Sequence, residues 1–282
     1  MNIKEFVALA KKEDVKDGDH SALACIPKNG FGIAQLLVKE EGIIAGIDVA
    51  KHIFLEFDSE FKFESFFKDG AKVQPGDVVF KIRGASRSLL SAERLVLNVM
   101  QRMSAIATLT NKFVQEISGL NTKILDTRKT TPLLRFLEKK AVLIGGGDNH
   151  RMGLYDMIMI KDNHIDFAGN IEKAICQTKN YLKENNLDLK IEIETRNLAE
   201  VNQVISVGGV DRIMLDNFSF EDLRKAVKLI NGKFETEASG GINLETVRKY
   251  AECEVDFISI GAITHSVKNM DLSLKAVHEK TN

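Results

Sequence analysis

The sequence predicts an α/β protein whose C-terminal part is a parallel barrel built from βα units. After Gly119, short apolar strands alternate with helix-like stretches, which is the pattern of a parallel sheet. The last four strands end at regular intervals, at Glu194, Asp216, Ser239 and Gly261, which are 22, 23 and 22 residues apart. One strand, one helix and two short loops need that length, so the spacing indicates successive barrel units.

The N-terminal part has a different pattern. Residues 1–20 are helical and then charged, and apolar runs broken by glycine and Pro-Gly follow at Gly32–Val38, Gly42–Gly46 and Asp77–Ile82. Because no helical pattern separates these runs, they predict an antiparallel sheet. The clearest helix is Ser91–Ser118, where apolar residues recur at steps of three and four. We expect this long helix to join two domains.

Six strands are predicted in the barrel part, each a short apolar run that ends in a polar or glycine-containing group. They are Lys123–Asp126, Met157–Lys161, Lys190–Glu194, Arg212–Asp216, Phe234–Ala238 and Phe257–Ile260. Since active sites of βα barrels lie at the C-terminal ends of the strands, the residues that follow these strands are the candidates for chemistry.

The composition excludes some classes of function. The 282 residues are 44% hydrophobic, and 39 basic against 40 acidic side chains give a net charge of −1. A general nucleic-acid binder needs a basic excess, so we expect none. Cys25, Cys176 and Cys253 are far apart in the sequence, which is typical of reduced thiols in a cytoplasmic protein. No apolar run approaches the ~20 residues that span a bilayer, and the N-terminus lacks a secretory signal, so no membrane association is expected.

Four cations should converge at the mouth of the barrel: Arg128, Lys129, Arg151 and Lys161. Like charges brought together repel one another unless an anion occupies the site. Arginine binds carboxylate or phosphate with a planar two-point fork, and lysine supplies a point charge. The cluster therefore predicts a pocket for a small anion.

Acidic and glycine-containing groups complete the predicted site. Glu194 and Asp216 end neighbouring strands and are oxygen ligands suited to one magnesium ion that substrate phosphates also bind. Ser239–Gly241 and Gly261–Ala262 expose backbone N–H groups just before helices, which predicts a phosphate cradle. Gly145–Gly147 allows close approach of the backbone.

Each of these features alone has an ordinary structural explanation. An Arg-Lys pair is usually a solvated turn, a glycine run a flexible loop, His150 or His164 a turn or core histidine, and a strand-terminal acid a helix cap. However, alternation along Lys190–Glu194 puts Glu192 and Glu194 on the lumen face, where two carboxylates are costly without cations. The coincidence of all these groups at successive strand ends favours function.

Seven segments resemble quinolinate phosphoribosyltransferases. The match runs from about Glu93 to the C-terminus and is most specific between Thr127 and His164. The segments are Asp126–Pro132, Leu137–Ala141, Gly145–Asp156, Ile160–Ile165, Met214–Phe218, Glu237–Ile242 and Ile258–Ser266.

The resemblance implies a type II phosphoribosyltransferase fold. An N-terminal α/β sandwich, residues 1–118, would pack with an incomplete, roughly seven-stranded α/β barrel, residues 119–265. A C-terminal helix, residues 266–282, would pack with the sandwich. The resemblance also implies a homodimer in which each active site borrows Arg94 from the neighbouring subunit. The part of the long predicted helix from Arg94 to Ser118 would span roughly 36 Å and so carry Arg94 away from its own barrel.

The resemblance further implies an activity and residue roles. The chain would transfer the phosphoribosyl group of phosphoribosyl pyrophosphate to quinolinate with decarboxylation, giving nicotinate mononucleotide, pyrophosphate and carbon dioxide, with Mg²⁺ as cofactor. The positions that match quinolinate-carboxylate ligands are Arg128, His150, Arg151 and Lys161. Those around phosphoribosyl pyrophosphate and magnesium are Lys129, Glu194, Asp216, Ser239, Gly240, Gly241, Gly261 and Ala262, with Thr127 and Ile260 as further substrate contacts. Expected catalytic residues are Lys129, Lys161, Glu194 and Asp216, and the last two are the expected metal ligands.

The sequence departs from the family pattern at three points. Ala92 stands where the family usually has glycine, Leu133 replaces another usual glycine, and Asp19-His20-Ser21 stands for an Asp-x-Thr element. None of these changes removes a charged residue of the site.

Two other functions fit parts of the pattern. A barrel lyase or isomerase acting on a sugar phosphate would need the phosphate cradle but not the cations. A non-catalytic protein that binds a dicarboxylate would need the cations but not Glu194 and Asp216. The sequence keeps both sets of groups, which favours the transferase.

Overall fold

The computed structural model describes residues 1–277, which form two compact units. The first contains Met1–Asn111, Thr131–Gly146 and the chain from Ser266 onward, and the second contains Lys112–Thr130 and Gly147–His265. Residues 131–146, expected within the barrel domain, thus belong to the first unit.

The strands and helices are numbered in chain order. The strands are β1 (Phe31–Val38), β2 (Gly42–Ile43), β3 (Lys62–Ser65), β4 (Lys72–Val73), β5 (Val78–Ala85), β6 (Lys123–Leu125), β7 (Ile158–Ile160), β8 (Ile191–Thr195), β9 (Arg212–Asp216), β10 (Glu235–Ser239), β11 (Phe257–Ser259) and β12 (Leu272–Ala276). The helices are α1 (Ile3–Asp14), α2 (His20–Cys25), α3 (Ile47–Phe57), α4 (Ser86–Glu116), α5 (Arg135–Ile144), α6 (Asp162–Ala168), α7 (Ile171–Glu184), α8 (Leu198–Val207), α9 (Phe220–Ile230), α10 (Val247–Ala251) and α11 (Ala262–His265).

The first unit is built around an antiparallel sheet in the order β12-β1-β5-β3, and β2 pairs separately with β4. Leu36 of β1 lies opposite Phe80 of β5 and Leu274 of β12. Leu36 and Phe80 are fully buried, and the ring of Phe54 from α3 packs edge-on against Phe80 at 6.1 Å. The sheet therefore buries one apolar face under helices, as expected for a half-covered antiparallel sheet.

Two expectations for the first unit were wrong. The expectation that no helix separates the strand-like runs was wrong, because Ile47–Phe57 forms α3, and its buried residues Ile47, Ala50 and Phe54 recur at steps of three and four. The helix expected at residues 266–282 is replaced by β12 over Leu272–Ala276, where Leu272 and Leu274 alternate into the core. Residues 278–282 of that expected helix lie outside the described residues.

The second unit is a parallel sheet in the order β6-β11-β10-β9-β8-β7, and each strand agrees with its prediction within one residue at either end. An isolated parallel bridge joins Leu125 to Asp148, whose N–H donates to the Ile124 carbonyl at 2.8 Å. Asp148 thus adds a seventh, single-residue strand position to the six-stranded sheet, beside β6. Helices α7, α8 and α9 are capped at their N-termini by Asn170, Asn197 and Ser219, whose side chains accept the backbone N–H three residues on.

Within residues 1–277, no helix combines the length and the apolar content that a membrane crossing requires.

We expect Leu274→Ala to destabilise the protein by roughly 2–5 kcal/mol, because it removes a core side chain from β12. The adjacent Lys275 is exposed, so Lys275→Ala should change the free energy of unfolding by less than about 0.5 kcal/mol. Urea unfolding of both variants measures the difference. Equal effects of the two substitutions would contradict the strand assignment of this segment.

Candidate active site

A cavity of about 860 Å³ lies at the C-terminal ends of the parallel strands. It brings together every predicted site residue of the second unit: Thr127, Arg128, Lys129, His150, Arg151, Lys161, Glu194, Asp216, Ser239, Gly240, Gly241, Ile260, Gly261 and Ala262. Arg94, the remaining predicted residue, is an exposed residue of α4 in the first unit. The barrel rule for strand ends thus located the cavity correctly.

The cations of the cavity are close enough to repel one another. Burial lowers the pKa of Arg151, and the neighbouring charge of Arg128 lowers it further. The Arg151 guanidinium donates to the Met157 carbonyl at 3.1 Å, which fixes its position. Two neighbouring arginines, one of them held in place, form a site for a carboxylate or phosphate, which would relieve the repulsion.

The acidic groups face the same cavity. Burial raises the pKa of Glu194, the Lys161 ammonium 3.6 Å away opposes this, and the nearby Asp216 carboxylate raises the pKa again. Two neighbouring carboxylates that face a cavity with room for substrate phosphates are the donor set that magnesium prefers. The pair therefore fits a divalent cation.

Close backbone approaches shape the glycine-containing part of the cavity. Gly240 and Gly241 both adopt positive φ, at +101° and +61°. A Cβ atom on Gly261 would lie 3.0 Å from the Cδ of Lys129, and the Thr264 hydroxyl donates to the Lys129 carbonyl at 2.8 Å. Glycine at position 261 thus lets the side chain of Lys129 lie against the second half of the predicted phosphate cradle.

Gly145 allows a close backbone approach, as expected, and the neighbour it approaches is a helix. It lies in the first unit, where a Cβ atom would be 2.5 Å from the Ala107 carbonyl oxygen of α4. The glycine therefore permits close packing of α5 against α4 rather than approach to a ligand.

Beneath the cavity, charged side chains fill the lumen of the sheet. Glu192 and Glu237 are fully buried, and the His150 Nε2 lies 2.8 Å from the nearest Glu192 oxygen and 3.5 Å from Glu237. Arg212 donates to Glu237 at 2.8 Å and to Glu235 at 3.0 Å. The alternation argument for Glu192 thus identified a real buried charge cluster.

Burial raises the pKa of Glu192 to about 7, with Arg212 opposing the shift. Burial also raises the pKa of Glu237 to about 7, and the adjacent Glu192 adds to the shift. The two groups titrate as a pair, so near neutral pH a proton is partly retained between them. This proton and Arg212 together reduce the charge that the lumen must accommodate.

The same cluster could be read as a metal site, since ligand atoms of His150, Glu192 and Glu237 all lie within 4.8 Å of one another. However, the His150 Nδ1 accepts the backbone N–H of Arg151 at 2.7 Å. The ring proton of the neutral histidine must then sit on Nε2, the atom that faces the carboxylates. Glu194 and Asp216 are the better candidates for a metal.

Some cavity residues were missed by the sequence analysis: Met159, Met214, Asn217, Glu237, Ile242, Ser259 and His265. Alternation back from Ser239 would have placed Glu237 on the lumen face, as it did for Glu192. The same alternation, counted back from Lys161, Asp216 and Gly261, would have placed Met159, Met214 and Ser259 on that face. The remaining three residues depend on how loops and short helices close over the strand ends.

The three departures from the family pattern fall on the first unit. Asp19 caps α2 by accepting the Ala22 N–H at 3.0 Å, and Ala92 is fully buried on α4. Leu133 has φ +67° and is 70% exposed. That backbone conformation favours glycine, which explains the family's usual residue at this position.

Replacing Glu192 by glutamine should flatten the dependence of stability on pH. In the folded chain the pKa of Glu192 is raised above its unfolded value of 4.5, so between these two values the folded chain binds more protons than the unfolded chain. The contribution of Glu192 to the free energy of unfolding is fully present below the pKa of the unfolded chain. It is lost as the pH rises through about 7, the pKa in the folded chain. Glutamine cannot titrate, so Glu192→Gln should lose less stability than the wild type across this range in urea unfolding.

The exposed Glu221, on α9, provides the matched control. Glu221→Gln should retain the wild-type pH profile, because Glu221 lies on the surface and pairs only with the exposed Lys225 and solvent. Parallel profiles for all three proteins would show that Glu192 has no raised pKa.

Comparisons with known proteins agree with this geometry. Family models described as the N-terminal and C-terminal domains of quinolinate phosphoribosyl transferase match residues 19–104 and 106–275. The chain is 48% identical to quinolinate phosphoribosyltransferase [decarboxylating] 1b of Nicotiana tabacum, over 97% of this chain and 82% of the relative. It is 41% identical to a probable nicotinate-nucleotide pyrophosphorylase [carboxylating] of Bacillus subtilis, over 93% and 89% of the two chains.

Solved structures show the same fold over the full length. The crystal structure of NadC from Streptococcus pyogenes matches with a TM-score of 0.92 and 40% identity, covering 98% of this chain and 97% of the other. The nicotinate-nucleotide pyrophosphorylase of Francisella tularensis matches with a TM-score of 0.90 and 40% identity, covering 98% and 96%. The chain therefore belongs to the quinolinate phosphoribosyltransferase family, with its type II phosphoribosyltransferase fold.

Proposed function

We propose that this chain transfers the phosphoribosyl group of phosphoribosyl pyrophosphate to quinolinate with decarboxylation, a reaction of NAD biosynthesis. The products are nicotinate mononucleotide, pyrophosphate and carbon dioxide. One observation carries the proposal: the cations, the acidic pair and the glycine cradle all line one cavity. A sugar-phosphate lyase would not require the cations, and a dicarboxylate-binding protein would not require the acids.

The two carboxylates of quinolinate would lie among Arg128, Arg151 and Lys161. Arg151 is already positioned by its hydrogen bond to Met157, so it can receive a carboxylate with little loss of side-chain entropy. His150 supports this arrangement by accepting the backbone N–H of Arg151. A dianion supplies the negative charge that balances the cations in this part of the cavity.

Phosphoribosyl pyrophosphate would occupy the other side of the cavity. Its phosphates suit Lys129 and the backbone N–H groups of Ser239–Gly241 and Gly261–Ala262. Glu194 and Asp216 would hold a magnesium ion there. The ion would neutralise charge on the leaving pyrophosphate.

The reaction then follows from positioning and charge. The bond between ribose C1 and the pyrophosphate oxygen breaks, and the pyridine nitrogen of quinolinate bonds to C1. Glu194 favours the positive charge that develops on the ribose. Holding the two substrates in line can contribute about 7–11 kcal/mol.

Decarboxylation follows once the ring nitrogen is ribosylated and cationic. The bond between ring C2 and its carboxylate breaks, carbon dioxide leaves, and the electron pair stays on C2 beside the positive nitrogen until a proton is added. No covalent enzyme nucleophile is needed in this sequence of steps.

We also propose that the chain acts as a cytoplasmic homodimer whose active sites each include Arg94 of the neighbouring subunit. Arg94 is exposed on α4, so its guanidinium is available to a second copy of the chain. The three separate cysteines, none paired in a disulfide among the described residues, suit a reducing compartment.

The direct test is an assay with phosphoribosyl pyrophosphate, magnesium and either quinolinate or nicotinate. Quinolinate should give nicotinate mononucleotide and carbon dioxide. Nicotinate lacks one carboxylate and would neutralise less of the cavity's positive charge, so its kcat/KM should be at least about 100-fold lower. Comparable turnover of nicotinate would overturn the assigned substrate.

The same assay tests the metal. Removal of magnesium with a chelator should abolish product formation, and Glu194→Ala and Asp216→Ala should each depress activity strongly without loss of the fold. Full activity in the chelated wild-type enzyme would remove magnesium from the mechanism.

Subunit mixing tests the shared site. Arg94→Ala and Lys161→Ala should each be nearly inactive, because each lacks one substrate ligand in every site. In a mixed dimer, one site has both residues and the other has neither, so random exchange should restore about one quarter of wild-type activity. If proven exchange restores none, Arg94 does not act across the dimer.

A further inference from the structure

We propose that Asn217 is a positioning residue that fixes the Asp216 carboxylate for the phosphoribosyl substrate. Asn217 follows β9 directly and lines the cavity. Its side-chain amide donates to one Asp216 oxygen at 2.6 Å, and the Ser239 hydroxyl donates to the other. The carboxylate is therefore held at both oxygens.

The backbone of Asn217 directs its amide to this place. Asn217 has φ +56°, in the left-handed region, and its backbone N–H donates to the Ser239 carbonyl at 2.9 Å. Left-handed backbone is costly for a residue with a side chain, although asparagine tolerates it better than most. The turn after β9 thus brings the amide back beside the residue that precedes it.

The neighbouring glycine provides the space for that amide. A Cβ atom on Gly240 would overlap Oδ1 of Asn217 and lie 2.5 Å from its Cγ. Gly240 also has φ +101°, so glycine suits the position in two ways. Ser239 and Gly240 of one strand end and Asn217 of the next form a single bracket around Asp216.

This bracket fixes the orientation in which the Asp216 carboxylate faces a ligand. A carboxylate with one hydrogen bond to each oxygen cannot rotate freely, and each oxygen keeps a lone pair for a cation or a ribose hydroxyl. Residues that orient a ligand-binding carboxylate typically alter affinity by roughly 10- to 100-fold when they are changed. This inference rests on the proposed function, because it takes phosphoribosyl pyrophosphate as the ligand of Asp216.

Asn217→Gly tests the role of the amide, because glycine accepts the left-handed backbone and removes only the side chain. Asn231→Gly is the matched control. Asn231 has φ +47° at the C-terminal cap of α9, is exposed and does not line the cavity. Both variants should keep or raise the wild-type Tm, since both relieve a left-handed side-chain residue.

The decisive measurement is calorimetric binding of phosphoribosyl pyrophosphate with magnesium, in the absence of quinolinate. Asn217→Gly should weaken binding roughly 10- to 100-fold, and Asn231→Gly should not change it. In steady state, KM for phosphoribosyl pyrophosphate should rise in Asn217→Gly while KM for quinolinate stays at the wild-type value. A purely structural role would move both KM values or neither.

Asn217→Asp provides a second variant that preserves shape. It keeps a residue that tolerates the left-handed backbone but replaces the N–H donor with an acceptor beside Asp216. Binding should weaken at least as much as in Asn217→Gly. If both variants bind phosphoribosyl pyrophosphate like the wild type, this inference is overturned, whereas a wild type that does not bind it overturns the proposed function as well.

Discussion

Two fully buried glutamates in the lumen of the parallel sheet constrain the site above them. Unpaired buried carboxylates are too costly to leave in the fold, and removal of a buried partner typically costs about 3–5 kcal/mol. Glu237 is held by Arg212, whose guanidinium also lies 3.9 Å from the Phe257 ring centroid. Glu192 and Glu237 both face His150, so the histidine that lines the cavity is positioned from below by the charge beneath it.

His150 transmits this constraint to the substrate-facing residues. Its ring accepts the backbone N–H of Arg151, and its own backbone N–H donates to the buried Asp126 at 2.9 Å. Asp126 directly follows β6, and its segment continues into Thr127 and Arg128. One histidine thus ties together the two segments that carry the cavity's arginines, which is the preorganisation that binding of a dianion requires.

The sequence predicted the second unit better than the first for a physical reason. A buried parallel strand followed by a capped helix is a local pattern, so each barrel strand could be located within one residue. In the first unit, one of the two partners of β1 is β12, at the other end of the chain, and no local signal connects them. The missed α3 is a different case, because its buried residues Ile47, Ala50 and Phe54 recur at steps of three and four, so a helical signal was present in the sequence.

Within the candidate site, the sequence identified the chemical groups but not the contacts that orient them. Strand-end position is a property of sequence spacing, and it was sufficient for Glu194, Asp216 and Ser239. The bracket of Asn217 depends instead on a left-handed backbone and on the empty side of Gly240, both of which arise only when neighbouring strands are in register. Tertiary packing sets backbone conformations of this kind, so no local sequence pattern predicts them.

Register is also what separates the two layers of charge. Residues two apart on one strand point to the same face, so Glu192 and Glu194 of β8 and Glu237 and Ser239 of β10 all face the lumen at two depths. The deeper members, Glu192 and Glu237, are fully buried in the charge cluster, and Glu237 also lines the cavity together with the outer members, Glu194 and Ser239. A shift of one residue would instead turn Ile191 and Ile193 of β8, or Thr236 and Ala238 of β10, toward the lumen. The buried cluster and the cavity therefore depend on the same register.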